Sequence, residues 1–245
     1  MTRPVPDPIA RTANEVAMPP PPGQALLPPP LQAVNRAASR WSGSVWVIAR
    51  PSGTGGGLGA SQLGGSQAGA RLAFALGSAR RIALVGRVAT PLRGGGSEAA
   101  LGVEWRPAGL PVRVFAEQRL ALDGGRGGPS AGVIGGVDER LPRGFRLEGY
   151  GQAGVIGRGR LEGFVDGAAR LTRRAAAFGS ATLDIGAGAW GGAQRGAERL
   201  DLGPTLGVSL PVEGRSFRLT FDYRARAAGG ARPGSGPALS LGTDF

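Results

Sequence analysis

From Trp41 onward the chain repeats one pattern: about ten residues in which apolar and polar side chains alternate, then a short break rich in Gly, Pro, Ser or Arg. Alternation with period two marks an extended strand, because successive side chains leave opposite faces of the backbone. Twelve such segments can be read, near 42–50, 67–77, 80–90, 97–106, 111–121, 129–138, 144–156, 160–171, 178–190, 199–210, 216–227 and 236–245. In the eleventh, Phe217, Leu219, Phe221 and Tyr223 share one face, and Arg218, Thr220, Asp222 and Arg224 share the other. In the last, Leu239, Leu241, Thr243 and Phe245 oppose Ala238, Ser240, Gly242 and Asp244.

Two architectures alternate in this way, the closed membrane barrel and the soluble β-sandwich. In a sandwich the polar face meets water. Here that face repeatedly carries one Arg and one carboxylate near mid-strand, an arrangement that suits charges pairing across a barrel lumen. A tilted strand of about 9–11 residues crosses a bilayer, and bacterial barrels have even strand numbers. The expected fold is therefore all-β: a closed antiparallel transmembrane barrel of about twelve strands over residues 41–245, with Ser42–Arg50 pairing to 236–245. The expected lumen residues are Arg87, Glu104, Arg106, Arg113, Glu117, Arg119, Arg146, Glu148, Glu162, Asp166, Arg170, Asp184, Asp201, Arg218, Asp222 and Arg224. With both termini on one side, the connections after odd-numbered strands lie on the other, and the longest, Pro51–Ser66, is among them.

Composition narrows the chemistry. There is no Cys and no His, so disulfides, thiol chemistry and the commonest base and metal ligand are absent, and no cofactor, metal or catalytic role is expected. All 29 basic residues are Arg, giving a net charge of +12. These are spread along the strands between acids rather than clustered, so no nucleic-acid partner is expected. An open lumen with this balance favours anions. Gly128-Pro129-Ser130-Ala131-Gly132 fits a nucleophile-elbow pattern but has no His and no following helix. Gly186-Ala187-Gly188-Ala189-Trp190-Gly191 fits a dinucleotide pattern but sits within a strand.

Residues 1–40 differ. They hold ten of the 20 prolines, including Pro19–Pro22 and Pro28–Pro30, and read as a disordered or semi-rigid arm in polyproline II conformation. No charged region followed by an apolar core is visible after Met1, so the expectation is a misplaced start, a fragment or a mature form.

A closing strand that ends on Phe245 resembles the last strand of bacterial outer-membrane barrels, in which the terminal aromatic is read during assembly. Leu101-Gly102-Val103-Glu104-Trp105-Arg106-Pro107, followed by Pro111-Val112-Arg113-Val114-Phe115-Ala116-Glu117-Gln118-Arg119, resembles the carboxyl-terminal barrels of tetratricopeptide-repeat proteins for polysaccharide export or phage adsorption. The resemblance implies an outer-membrane location and contact with lipid and lipopolysaccharide. It also implies handling by the barrel-assembly machinery, and a periplasmic export partner reached through the arm. The function expected is a narrow, anion-preferring channel or the pore of an export system. The alternatives are a non-conducting structural, adhesion or receptor barrel and a soluble β-sandwich binding module.

Overall fold

The computed structural model describes residues 39–51, 63–213 and 215–245. The strands are β1 (Trp41–Ala49), β2 (Gln67–Leu76), β3 (Ile82–Pro91), β4 (Glu98–Trp105), β5 (Val112–Ala121), β6 (Gly128–Arg140), β7 (Phe145–Gly157), β8 (Leu161–Phe178), β9 (Ala181–Gln194), β10 (Ala197–Val212), β11 (Arg215–Ala228) and β12 (Gly236–Asp244). Each pairs antiparallel with its sequence neighbours, and β12 returns to β1, so the sheet closes. Val47 faces Leu241 across the closing seam. The Gly43 N–H donates to the Phe245 carbonyl at 2.8 Å and the Phe245 N–H returns to the Gly43 carbonyl at 2.9 Å. The Pro-rich arm, apart from Ser39 and Arg40, lies outside the described residues, as does most of the connection from β1 to β2.

All twelve predicted segments are strands, but those on one side of the barrel are longer than predicted. β8 runs through Phe178, across the stretch Thr172–Ala177 that reads as a turn. Arg173 and Arg174 look like a polar break, yet their backbones pair with Ile185 and Asp184, and a bulge between Arg174 and Ala176 absorbs the irregularity. The breaks predicted at Gly191–Glu198 and Pro211–Arg215 shrink for the same reason, because ladder bonds extend into polar ends.

The faces are inverted relative to a water-soluble protein. Val47, Leu72, Val88, Leu101, Leu120, Val133, Val155, Val165, Ile185, Leu206, Phe221 and Leu239, one from each strand in order, are all exposed on the outer wall. Glu148, Asp201 and Asp222 are at 0 % exposure inside. Inward aromatics are seated on glycines of the adjacent strand. Trp46 lies opposite Gly69, where a Cβ would collide with the ring. Phe115 and Phe164 cover Gly132 and Gly154 in the same way, each within 2.8 Å of the missing Cβ.

Candidate functional site: the barrel lumen

Parity along each strand decides what enters the lumen. In β4, Glu98 and Glu104 point in with Gly102 between them, and in β5 Arg113, Phe115, Glu117 and Arg119 do so. Three glutamates thus meet five arginines on one side of the interior. Glu104 accepts from Arg71 at 2.7 Å and Arg113 at 3.3 Å. Glu117 accepts from Arg87 at 2.6 Å and Arg119 at 2.8 Å. Glu98 meets Arg158 at 2.9 Å, Arg87 at 3.5 Å and Arg119 at 3.6 Å. Each carboxylate is shared, which is how charges taken out of water keep their hydrogen bonds satisfied.

The opposite side is built on Glu148, Asp222, Asp201 and Asp166. Glu148 meets Arg146 at 3.0 Å and is bonded by Arg218, while Arg146 also spans to Asp138 at 2.8 Å. Asp222 accepts from Arg224 at 3.0 Å, Arg170 at 3.1 Å and the Thr205 hydroxyl at 2.6 Å. The Arg224 and Arg170 guanidiniums also lie over the Trp190 ring, at 4.6 and 5.6 Å. Asp201 gathers Arg50 at 3.4 Å, Arg226 at 3.0 Å and Arg199. Asp166 is held instead by the Tyr150 hydroxyl at 2.9 Å and the Gln152 amide at 3.4 Å.

The three arginines on Asp201 also hold the loops of the end remote from Trp41 and Phe245. Arg50 donates to the carbonyls of Gly64 and Gly234, and Arg199 to that of Leu63. Arg226 donates to those of Gly229, Ala231 and Pro233. Beneath these bonds Leu63, Ala197 and Ala231 are buried together, and the Leu63 N–H reaches the Arg232 carbonyl at 3.1 Å. These bonds tie the described parts of the β1–β2 and β11–β12 connections over Asp201 as a partial roof.

Farther in, side chains cross the barrel. Trp46 and Ile48 of β1, Ala89 of β3 and Tyr150 of β7 form one buried cluster, and Phe115, Ile134 and Phe164 form another. A cavity lined by Arg71, Arg87, Glu104, Phe115, Glu117 and Arg119 holds about 30 Å³. That is more than the roughly 10–15 Å³ a single water needs.

Fifteen of the sixteen predicted lumen residues occupy inward positions, with Glu162 and Asp184 at the rims, where they meet Arg160 at 3.2 Å and Arg174 at 3.8 Å. Arg106 is the exception. β4 ends at Trp105, and Arg106 is exposed in the turn, where its N–H donates to the Arg81 carbonyl at 2.7 Å. Sequence reasoning missed Arg50, Arg71, Glu98, Asp138, Arg158, Arg199 and Arg226. Glu98 keeps the parity of Glu104, Arg158 that of Glu148, Arg199 that of Asp201 and Arg226 that of Arg224, so extending the alternation to strand ends finds these four. Arg50 follows β1, and Arg71 and Asp138 lie in β2 and β6, strands in which no lumen residue is predicted. Ser130 lies buried within β6 and Gly186–Gly191 within β9, so neither motif has the strand-to-helix turn its chemistry requires.

Outside the strands, Asp123 accepts from the Gly96 and Ser97 N–H groups at 2.6 and 2.7 Å. These two backbone bonds, Ser97 first, hold its carboxyl below the ordinary aspartate value.

An apolar wall around a charged, ion-paired interior defines a closed antiparallel β-barrel of the membrane-protein type. No family model matches the chain, and no curated protein matches it. Among solved structures the chain is similar to the β domain of the Bordetella autotransporter Brka, at 15% identity and TM-score 0.45, over 84% of this chain and 98% of that one. It is similar to an outer membrane channel from Pseudomonas putida F1, at 12% identity and TM-score 0.43, over 88% and 96%. A third is a bacterial polysaccharide outer membrane secretin, at 9% identity and TM-score 0.42, over 84% and 97%.

Proposed function

We propose that the chain is an outer-membrane barrel whose lumen is sealed at rest, so that it serves as a membrane-embedded structural or receptor barrel rather than an open pore. The membrane reading rests on the ring of exposed apolar side chains contributed by every strand. The sealed reading rests on one observation: ion pairs and the Trp46–Tyr150 cluster cross the lumen and leave a cavity of about 30 Å³ beside them. Planar-bilayer recording of refolded protein tests it. The expected record shows no steps, and a steady conductance at low voltage overturns the sealed reading.

A second reading is supported by the excess of arginine, with five guanidiniums around Glu98, Glu104 and Glu117. If the lumen opens, the path prefers anions, and acidic oligosaccharides of an export system are the substrates that suit it. Reversal potentials favouring cations would sink that reading. Phe245 fits the proposed assembly role through its backbone pairing with Gly43.

A further inference from the structure

On the glutamate side of the lumen the charges do not balance. Arg71, Arg87, Arg113, Arg119 and Arg158 surround Glu98, Glu104 and Glu117, which leaves two more guanidiniums than carboxylates. These groups are largely withdrawn from water: Arg113 keeps 31% of its side chain exposed and the others 17% or less. Asp166 does not make up the difference, because its bonds come from Tyr150 and Gln152 and it pairs with none of the five among the described residues. A charge taken out of water is costly unless an opposite charge meets it.

The excess sits on the wall of the cavity of about 30 Å³, which Arg71, Arg87 and Arg119 line together with apolar Val85, Phe115 and Ile134. Arg71 bonds Glu104 through Nη2, and Arg87 bonds Glu98 and Glu117 through Nε and Nη2. Nε and Nη1 of Arg71 and Nη1 of Arg87 donate to no described residue. A guanidinium has five donors and no acceptor, so these N–H groups call for an acceptor in the cavity. Glu104 and Glu117 also border it, but each already accepts from two guanidiniums.

The space is more than one water needs and far below the roughly 300–1,000 Å³ of sites for organic ligands. It suits a monatomic ion, and the surplus of guanidinium sets the sign. We propose that this cavity binds a halide ion as a counter-ion on Arg71 and Arg87. The proposal rests on the same arginine excess as the anion-preferring reading, names the ion and its place, and needs no open path.

Urea unfolding of the detergent-refolded chain tests it, in sodium chloride, sodium bromide and sodium gluconate at equal ionic strength. Gluconate is too large for the cavity and serves as the reference anion. A ligand held only by the folded state stabilises it in proportion to ln(1 + [L]/Kd), so a halide at about ten times its Kd should lower the unfolding equilibrium constant about tenfold. The effect should saturate, which general screening by salt at matched ionic strength does not explain. Arg71→Gln should lose the halide dependence and still fold, because Arg113 continues to meet Glu104. Arg80→Gln, in an exposed turn, should keep it. Heat-modifiable gel mobility of each variant confirms folding, and Arg87→Gln takes the place of Arg71→Gln if that variant does not fold. Equal unfolding in halide and gluconate, a halide effect that never saturates, or one that survives the loss of Arg71 or Arg87 would each overturn the site. Reversal potentials favouring cations beside a saturating halide effect would sink the anion path and leave the site standing.

Discussion

Replacing Asp201 by Asn should unfasten the partial roof. The carboxylate is at 0 % exposure and is the shared acceptor of Arg50, Arg199 and Arg226. Asparagine keeps the shape but removes the charge, which leaves three guanidiniums close together with no counter-ion. Breaking a buried ion pair by removing one partner typically costs about 3–5 kcal/mol. A loss of that order is expected in urea unfolding of the refolded barrel. The same arginines hold carbonyls of the two roof loops, so the damage should be local as well as global. Amide exchange at Leu63 and Ala231, bonded to the Arg232 and Glu198 carbonyls, should speed up. Asp222→Asn is the control. It removes a comparably buried acid, but its partners are Arg170, Arg224 and Thr205, none of which touches the roof, so exchange at Leu63 and Ala231 should stay slow. A loss under about 1 kcal/mol for Asp201→Asn, with exchange at Leu63 and Ala231 unchanged, would refute the reasoning.

Leu101→Arg, on the outer wall, should destabilise the inserted barrel by about 2–4 kcal/mol in lipid vesicles, whereas a wall facing water would tolerate it. Gly69→Val should drive the Trp46 ring from its seat at a cost of about 1–3 kcal/mol, read by tryptophan fluorescence and unfolding midpoint. Asp123 has a depressed carboxyl in the folded state, so its bonds to Gly96 and Ser97 are fully present above the ordinary aspartate value. They are lost only as pH falls through the lower folded value. Side-chain NMR titration should place the Asp123 midpoint below that of a free aspartate, and an ordinary midpoint would count against the link. Phe245→Ala should weaken closure, since the ring covers Gly43 and carries Arg215 at 5.5 Å; unchanged insertion kinetics would argue against it.

Strand positions were legible in this chain because period-two alternation is a local property. The ends of β8 to β11 were not. Arg173, Arg174 and the small residues after them carry the composition of a turn, and only the partner strand β9 shows that their backbones remain in the ladder. The lumen acids and arginines were mostly legible by parity, yet which arginine meets which acid was hidden. Glu98 reaches Arg158 sixty positions away, and Asp201 reaches Arg50 across 151. Such pairs depend on register and on chords across the barrel, neither of which leaves a mark in a single strand. The seats of the inward aromatics were hidden for a related reason. Phe115 and Phe164 share the parity of Glu117 and Asp166, so their face is readable, but the glycine on which each ring sits is known only from the pairing.

The seam between β1 and β12 has a mechanical meaning. Six residue pairs of the ladder and the flanking Gly43–Phe245 pair join these strands, against fourteen between β8 and β9. Lateral tension on the wall concentrates where the fewest ladder bonds resist it, so the barrel has a built-in line of parting. It is the one strand pair whose members are not neighbours in the chain. The sheet can therefore be laid down hairpin by hairpin and buttoned last along its shortest edge, and under force it should unbutton there first.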